Sequence, residues 1–159
     1  MKGLLTLHHC LPYLILIFIV GTSGMGCAPM SDYHPNERAV QTLGMPEAWQ
    51  RLRLVMLRAV NPQIQVVQLT EDGIVYSGTR MLPMFVQAPA SRLMAFTNIS
   101  GVDVYANHTV YVKGAAGQAT DIFALASDED AKAFADLLMS FRSQYLRDKT
   151  SFQALPPPR

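Results

Sequence analysis

The folded part of this 159-residue chain has no cysteine, because Cys10 and Cys27 are the only two and both fall within the first 27 residues. A disulfide framework and a cysteine metal cluster are thereby excluded from the body, which must hold together by packing. Charge of one sign is also missing. The 13 Lys+Arg stand against 12 Asp+Glu, charged residues make up only 16% of the chain, and the formal net charge is +1. Such a chain has no general field to draw in nucleic acid or acidic substrates. Catalytic signatures are absent as well, with no G-x-S-x-G elbow, no H-E-x-x-H pair and no glycine-rich phosphate loop. What is plentiful is apolar character, 50% of positions, enough for the core of one domain and too little length for two.

The apolar residues are densest at the N-terminus. Met1 and Lys2 lead into Leu4, Leu5 and Leu7, then a nearly unbroken apolar run from Leu11 to Val20, then Gly21, Thr22, Ser23 and Gly24. At ~1.5 Å per residue this run of about 10 covers roughly half of a hydrocarbon core about 30 Å thick. The layout is that of a signal peptide over residues 1–26; the alternative is an uncleaved signal anchor in the inner membrane. The segment Gly24-Met25-Gly26-Cys27 resembles the lipobox of bacterial lipoproteins, with Gly26 before the cysteine and Gly24 where that family usually has Leu. The resemblance implies cleavage before Cys27 and acylation of its thiol with diacylglyceryl and palmitate-type chains. Two or three chains give firm anchoring where a single one binds marginally. Ala28, where members retained in the inner membrane commonly carry Asp, implies the periplasmic face of the outer membrane. Cleavage would remove Lys2 and no acidic residue, leaving 12 basic against 12 acidic side chains.

Residues 27–36 have neither helical nor strand period and read as a tether. A helical segment follows over 37–61: Asn36 caps a short helix to Leu43, Gly44 ends it, and Pro46 starts a second in which Trp49, Leu52, Met56 and Val60 form the apolar stripe. Arg51, Arg53 and Arg58 invite a phosphate or headgroup reading, with a solvated face as the plainer one. After Asn61-Pro62 the period changes to two. Gln63 to Thr70 and Ile74 to Arg80 form a hairpin across Glu71-Asp72-Gly73. Strands are also predicted at Arg92 to Asn98, Val102 to Ala106, Thr109 to Lys113 and Ala119 to Ala126, with a loop or broken edge strand around Met84 to Gln87. A last helix begins at Ser127, capped against Asp130 and with Asp128 and Glu129 at its positive end, and carries Phe134, Leu138, Phe141 and Tyr145 on one face. Residues 149–159, ending in Pro156-Pro157-Pro158-Arg159, read as an extended tail.

About seven short strands and a closing helix, with Gly73-Ile74-Val75-Tyr76, Ile99 to Tyr105 and Phe123 to Ala131 as the matching segments, resemble a pleckstrin-homology-like (PH-like) domain over 63–148. The expected fold class is therefore α+β: a small bent antiparallel barrel or sheet, a C-terminal capping helix and an N-terminal helical segment. The resemblance implies binding rather than catalysis. Its headgroup route uses basic residues in the first turn, but Glu71-Asp72-Gly73 is acidic, so a peptide or protein partner transfers better, at a strand edge or beside the last helix.

Other candidates for chemistry are sparse. Ser100 beside Gly101 with His108 nearby suggests a nucleophile pair, or plain turn residues. Asp128-Glu129-Asp130 lacks the alternating ligands of a calcium loop. Of the nine methionines, Met81, Met84 and Met94 suggest soft-metal binding; the plainer reading of Met81, Leu82, Met84 and Phe85 is a partner or ligand surface, or a lid over the core. The sequence thus predicts a lipid-anchored, non-enzymatic lipoprotein without metal or cofactor that binds an envelope protein. The alternative is a carrier for lipid or a small apolar ligand.

Overall fold

A computed structural model describes residues 33–148; the expected signal peptide, Cys27, the first part of the expected tether and the expected tail 149–159 lie outside the described residues. The described residues open with α1 (Ala39–Leu43) and α2 (Met45–Leu57). Their break is Gly44, whose φ of +81° is a left-handed value open to glycine and whose N–H donates to the Val40 carbonyl at 2.8 Å. α2 buries Ala48, Leu52, Val55 and Met56. Val60, expected on this stripe, lies beyond the helix end and is 58% exposed.

Six strands follow, not seven. β1 (Gln63–Leu69), β2 (Gly73–Met81) and β3 (Gln87–Ala95) form one antiparallel sheet with β2 in the middle. β4 (Ile99–Val104), β5 (Thr109–Gly114) and β6 (Ala119–Ala124) form a second with β5 in the middle. Of the loop or broken edge strand expected around Met84 to Gln87, the loop forms, a turn over Pro83–Phe85 leading into β3 at Gln87, and Pro89 sits within β3, an edge strand, where a sheet tolerates proline. Ser100 and Gly101, expected in a turn, belong to β4, where the register shifts between Ile99 and Gly101. A bulge between Ile64 and Val66 lets Ile64 and Val67, three apart, both face inward. At Gly78 β2 lies too close to β1 for a side chain: a Cβ there would lie 2.0 Å from the Gln63 carbonyl oxygen.

Of the barrel or sheet expected, sheets form and do not close into a barrel. A second 3-10 turn, Phe96–Asn98, carries the chain from β3 into the other sheet, so β3 and β4 do not pair. Asn61, just ahead of β1, makes an isolated bridge to Ala124 of β6, where the Ala124 N–H donates to the Asn61 carbonyl at 2.8 Å. Elsewhere side chains stitch the two sheets together. Arg80 Nη2 donates to the Ile122 carbonyl at 3.3 Å, Arg92 donates to the Thr120 carbonyl, and the Tyr76 hydroxyl donates to Asp121 Oδ1 at 2.7 Å.

The helix α3 (Asp128–Arg147) starts as the sequence predicts, with Ser127 Oγ accepting from the Asp130 N–H at 3.1 Å. Its apolar face completes a core of aromatic rings. Tyr76 of the first sheet lies 5.4 Å from Phe123 of the second, and Phe123 lies 4.9 Å from Phe134 of α3. Phe96 and Tyr145 pack at 5.3 Å near the other end of the helix. The fold is thus α+β, two small three-stranded antiparallel sheets and a C-terminal helix.

Candidate functional site

Met81, Leu82, Met84 and Phe85 stand at the end of the β2–β3 hairpin. The tip does not lie over the core: Met84 and Phe85 are each 91% exposed, Val86 54%, and Met81 and Leu82 41% each. The turn is nevertheless held. Leu82 N–H donates to the Val86 carbonyl at 2.8 Å. At its root the Asn61 side chain accepts from Met81 N–H at 3.0 Å and donates to the Met81 carbonyl at 3.2 Å. Met84 and Phe85 both have left-handed backbones, with φ of 62° and 59°. For an L-residue that conformation costs roughly 1–2 kcal/mol, and turns normally use glycine or asparagine there. Two large apolar side chains are therefore displayed on backbone that a smaller residue would occupy more easily.

Below the arm lies an open cleft of about 250 Å³ lined by Tyr76, Arg80, Leu82, Pro89, Ser91 and Arg92. Its polar groups are engaged in joining the sheets. Asp121 is 3% exposed and is held by the Tyr76 hydroxyl and by Arg92 Nη1 at 3.4 Å. Burial, with the Asp121 hydrogen bond and charge added, pushes the Tyr76 phenol well above its ordinary range, so it stays a neutral donor.

The strand edges differ in how they are guarded. β3 carries Pro89 and Arg92, β6 is met by the guanidiniums of Arg80 and Arg92, and β4 has Arg142 Nε donating to its Ile99 carbonyl at 2.6 Å. β1 is paired on one side only, to β2, and its sequence from Gln63 to Leu69 contains no charge and no proline. Gln65, Val66 and Gln68 are exposed along it. Charges, proline and covering groups are the usual protection of an edge against pairing with another chain; β1 has its bulge and α2 packed against it, but neither charge nor proline.

The other predicted groups are not brought together. Ser100, at the start of β4, donates to the Gly114 carbonyl at 2.6 Å, whereas His108 lies beyond the other end of that strand, in the turn before β5, with Nδ1 2.7 Å from Asp128 Oδ1. A Ser100–His108 nucleophile pair is therefore not assembled. Met94 is buried in the core while Met81 and Met84 stand on the arm, which separates the thioethers of the soft-metal reading. Among the described residues no group of three or more His, Cys, Asp or Glu is placed to hold a metal. Asp130 pairs with Arg58 at 2.7 Å, and Arg51 and Arg58 are exposed.

The sequence reading missed one feature. Residues from Tyr33, expected in the tether, run along α3 and are bonded to it. The Tyr33 hydroxyl donates to the Lys132 carbonyl at 2.9 Å and to Asp136, and Asn36 N–H donates to Asp136 Oδ1 at 2.7 Å. Val40 N–H donates to buried Ser140 Oγ at 2.8 Å, and Ser143 Oγ donates to Glu37 at 2.7 Å. The available signal was the polar row Asp136, Ser140, Ser143 on α3, spaced four and three apart and so on one face. An open cleft of about 440 Å³ remains beside this strap, between Arg51 of α2 and Glu129, Lys132 and Asp136 of α3. Burial and then Asp136 raise the Tyr33 phenol above its usual range.

Among the described residues no helix is long and apolar enough to cross a membrane. No family model, curated protein or solved structure matches the chain.

Proposed function

We propose that this protein is an acylated, non-enzymatic lipoprotein of the bacterial envelope, tethered through Cys27 at the periplasmic face of the outer membrane, that binds a partner protein by strand addition. The observation that carries the binding step is the β1 edge, paired on one side only and free of charge and proline. An extended peptide paired with it would gain main-chain hydrogen bonds, with exposed Val66 offering an apolar contact beside them. The strand order and closing helix support a PH-like arrangement with six strands and open sheets. The wide separation of Ser100 from His108 favours binding over hydrolysis. A carrier would need an empty interior, and Tyr76, Phe123 and Phe134 fill the space where the two sheets and α3 meet.

The anchor is tested by the intact mass of the membrane-extracted protein beside Cys27→Ser. The expected species begins at Cys27 with acyl chains and is lost in the variant; an unmodified N-terminus would make the protein a signal-anchored one of the inner membrane. The edge is tested with a photo-crosslinking residue at Gln65 in growing cells. A single protein adduct that disappears in Val66→Lys is expected, and equal crosslinking in both would overturn strand addition.

A further inference from the structure

The contacts of the strap give the chain a direction. Tyr33 bonds at Lys132 and Asp136, and Val40 bonds at Ser140, so residues 33–40 run along α3 from its beginning toward its end. The described chain therefore begins on the first half of α3, roughly 6–12 Å along the helix from Asp128 at 1.5 Å per residue. The hairpin arm is rooted at the same end. Met81 is bonded by Asn61, Asn61 by Ala124, and Ala124 ends the strand leading into α3. The β1–β2 turn is at the opposite end, where the Tyr145 hydroxyl donates to Asp72 Oδ1 at 3.1 Å.

Cys27 precedes Tyr33 by six residues, a reach of at most about 20 Å even for a fully extended chain. An acylated Cys27 thus holds the end of the body that begins α3 close to the lipid surface, and that is the end from which the arm projects. At the tip of the arm are the two most exposed large apolar side chains of the described residues, Met84 and Phe85, on left-handed backbone that gives their display a conformational cost. A convex apolar tip flanked by Leu82 and Val86 fits an interface that yields around it, and large apolar side chains gain free energy at the boundary of headgroups and acyl chains.

We propose that the β2–β3 arm is a second membrane contact, with Met84 and Phe85 inserted at the headgroup–acyl boundary of the periplasmic leaflet that faces the body, so that the acyl anchor and the arm together fix the domain's orientation on the bilayer. The inference rests on the lipid-anchor reading. It also makes the strand-addition site oriented, since β1 then runs from the membrane end to the acidic Glu71-Asp72 turn on the far side and β2 returns from it to the arm.

The test uses the full-length, membrane-extracted protein reconstituted into vesicles of phosphatidylethanolamine and phosphatidylglycerol, with and without acyl-chain-brominated lipid. Phe85→Trp reports the tip, Gln118→Trp in the β5–β6 turn reports the opposite end, and the wild-type protein supplies the Trp49 background. The expected result is a blue-shifted emission at position 85 that bromolipid quenches and aqueous iodide does not, with the reverse at position 118. Emission at 85 that iodide quenches and bromolipid leaves unchanged would overturn the proposal; so would a crosslinker at position 85 that captures a protein in cells while the vesicle probe stays wet. The intact mass of the same preparation shows whether Cys27 is acylated. A wet tip on a properly acylated chain refutes membrane insertion alone, whereas an unacylated chain refutes the anchor reading and with it the geometric basis of the arm's placement.

Discussion

The bond between the Tyr76 hydroxyl and Asp121 should be the main polar tie between the two sheets, and removing the hydroxyl tests that directly. Tyr76 is 1% exposed and Asp121 3%, and the donor lies 2.7 Å from the carboxylate. Tyr76→Phe keeps the ring on Phe123, so packing is retained and the loss is that of a buried hydrogen bond to a charged group, about 1.5–3 kcal/mol. What remains to Asp121 is Arg92 at 3.4 Å, whose side chain is 52% exposed and which compensates little. For a folded body of this size, at about 4 °C per kcal/mol, the loss corresponds to a fall of roughly 6–12 °C in Tm. The assay is urea unfolding followed by Trp49 fluorescence and far-UV circular dichroism, where the midpoint should fall at unchanged slope. In a cycle with Asp121→Asn the coupling should be about 1–3 kcal/mol. The pH dependence supplies a second signature. The folded-state phenol is held protonated beyond its ordinary pKa of about 10, so its stabilisation is complete below that pH. Above it the unfolded chain releases the proton first, and stability falls as pH rises. Tyr76→Phe should flatten that alkaline slope, leaving the part due to Tyr33, whose phenol is raised in the same direction. A Tyr76→Phe protein within about 0.5 kcal/mol of wild type, with no coupling and an unchanged alkaline slope, would refute the reasoning.

Three further outcomes follow from single positions. Gly78→Ala places a methyl 2.0 Å from the Gln63 carbonyl; as overpacking against backbone it should destabilise by about 2–3 kcal/mol in urea unfolding. Met84→Gly relieves a left-handed residue at φ 62° but adds freedom to the unfolded chain, so stability should be unchanged or higher by up to about 1 kcal/mol, while any membrane contact at the tip weakens. Ser140→Ala leaves the buried Val40 N–H without its acceptor, a cost of about 1–3 kcal/mol, and amide exchange in residues 33–40 should quicken more than in β5; equal change in both would argue against a strap that opens by itself.

Much of the local structure was legible because local interactions decide it. The β1–β2 hairpin across Glu71-Asp72-Gly73, the Ser127 cap and the helix break at Gly44 each follow from turn chemistry, a side-chain oxygen or a backbone angle confined to a few neighbouring residues. Errors came where a distant group intervened. Ser100-Gly101 looks like a turn, yet Ser100 finds the Gly114 carbonyl across a strand and stays in the ladder. Val60 continues the helical spacing, but its N–H is taken by the Ala124 carbonyl at 2.8 Å and the helix has already ended. The arm residues Met81, Leu82, Met84 and Phe85 were legible as an apolar cluster, but not their exposure, since composition does not distinguish a lid from a projecting tip.

By itself, the sequence determined the class of elements and their order, because hydrophobic period, capping and turn residues act within a few positions along the chain. It also carried the lipobox resemblance, which needs no fold to be read. Only the tertiary structure decided that six strands would part into two open sheets instead of closing, that Tyr76, Arg80 and Arg92 would join them, and that β1 would be the edge left without charge or proline. It also brought the strap's beginning and the apolar arm to one end of the molecule. Those outcomes depend on contacts between residues 28 to 103 positions apart, such as Arg92 with Thr120 and Tyr33 with Asp136, and no local pattern encodes which distant partner a side chain will meet.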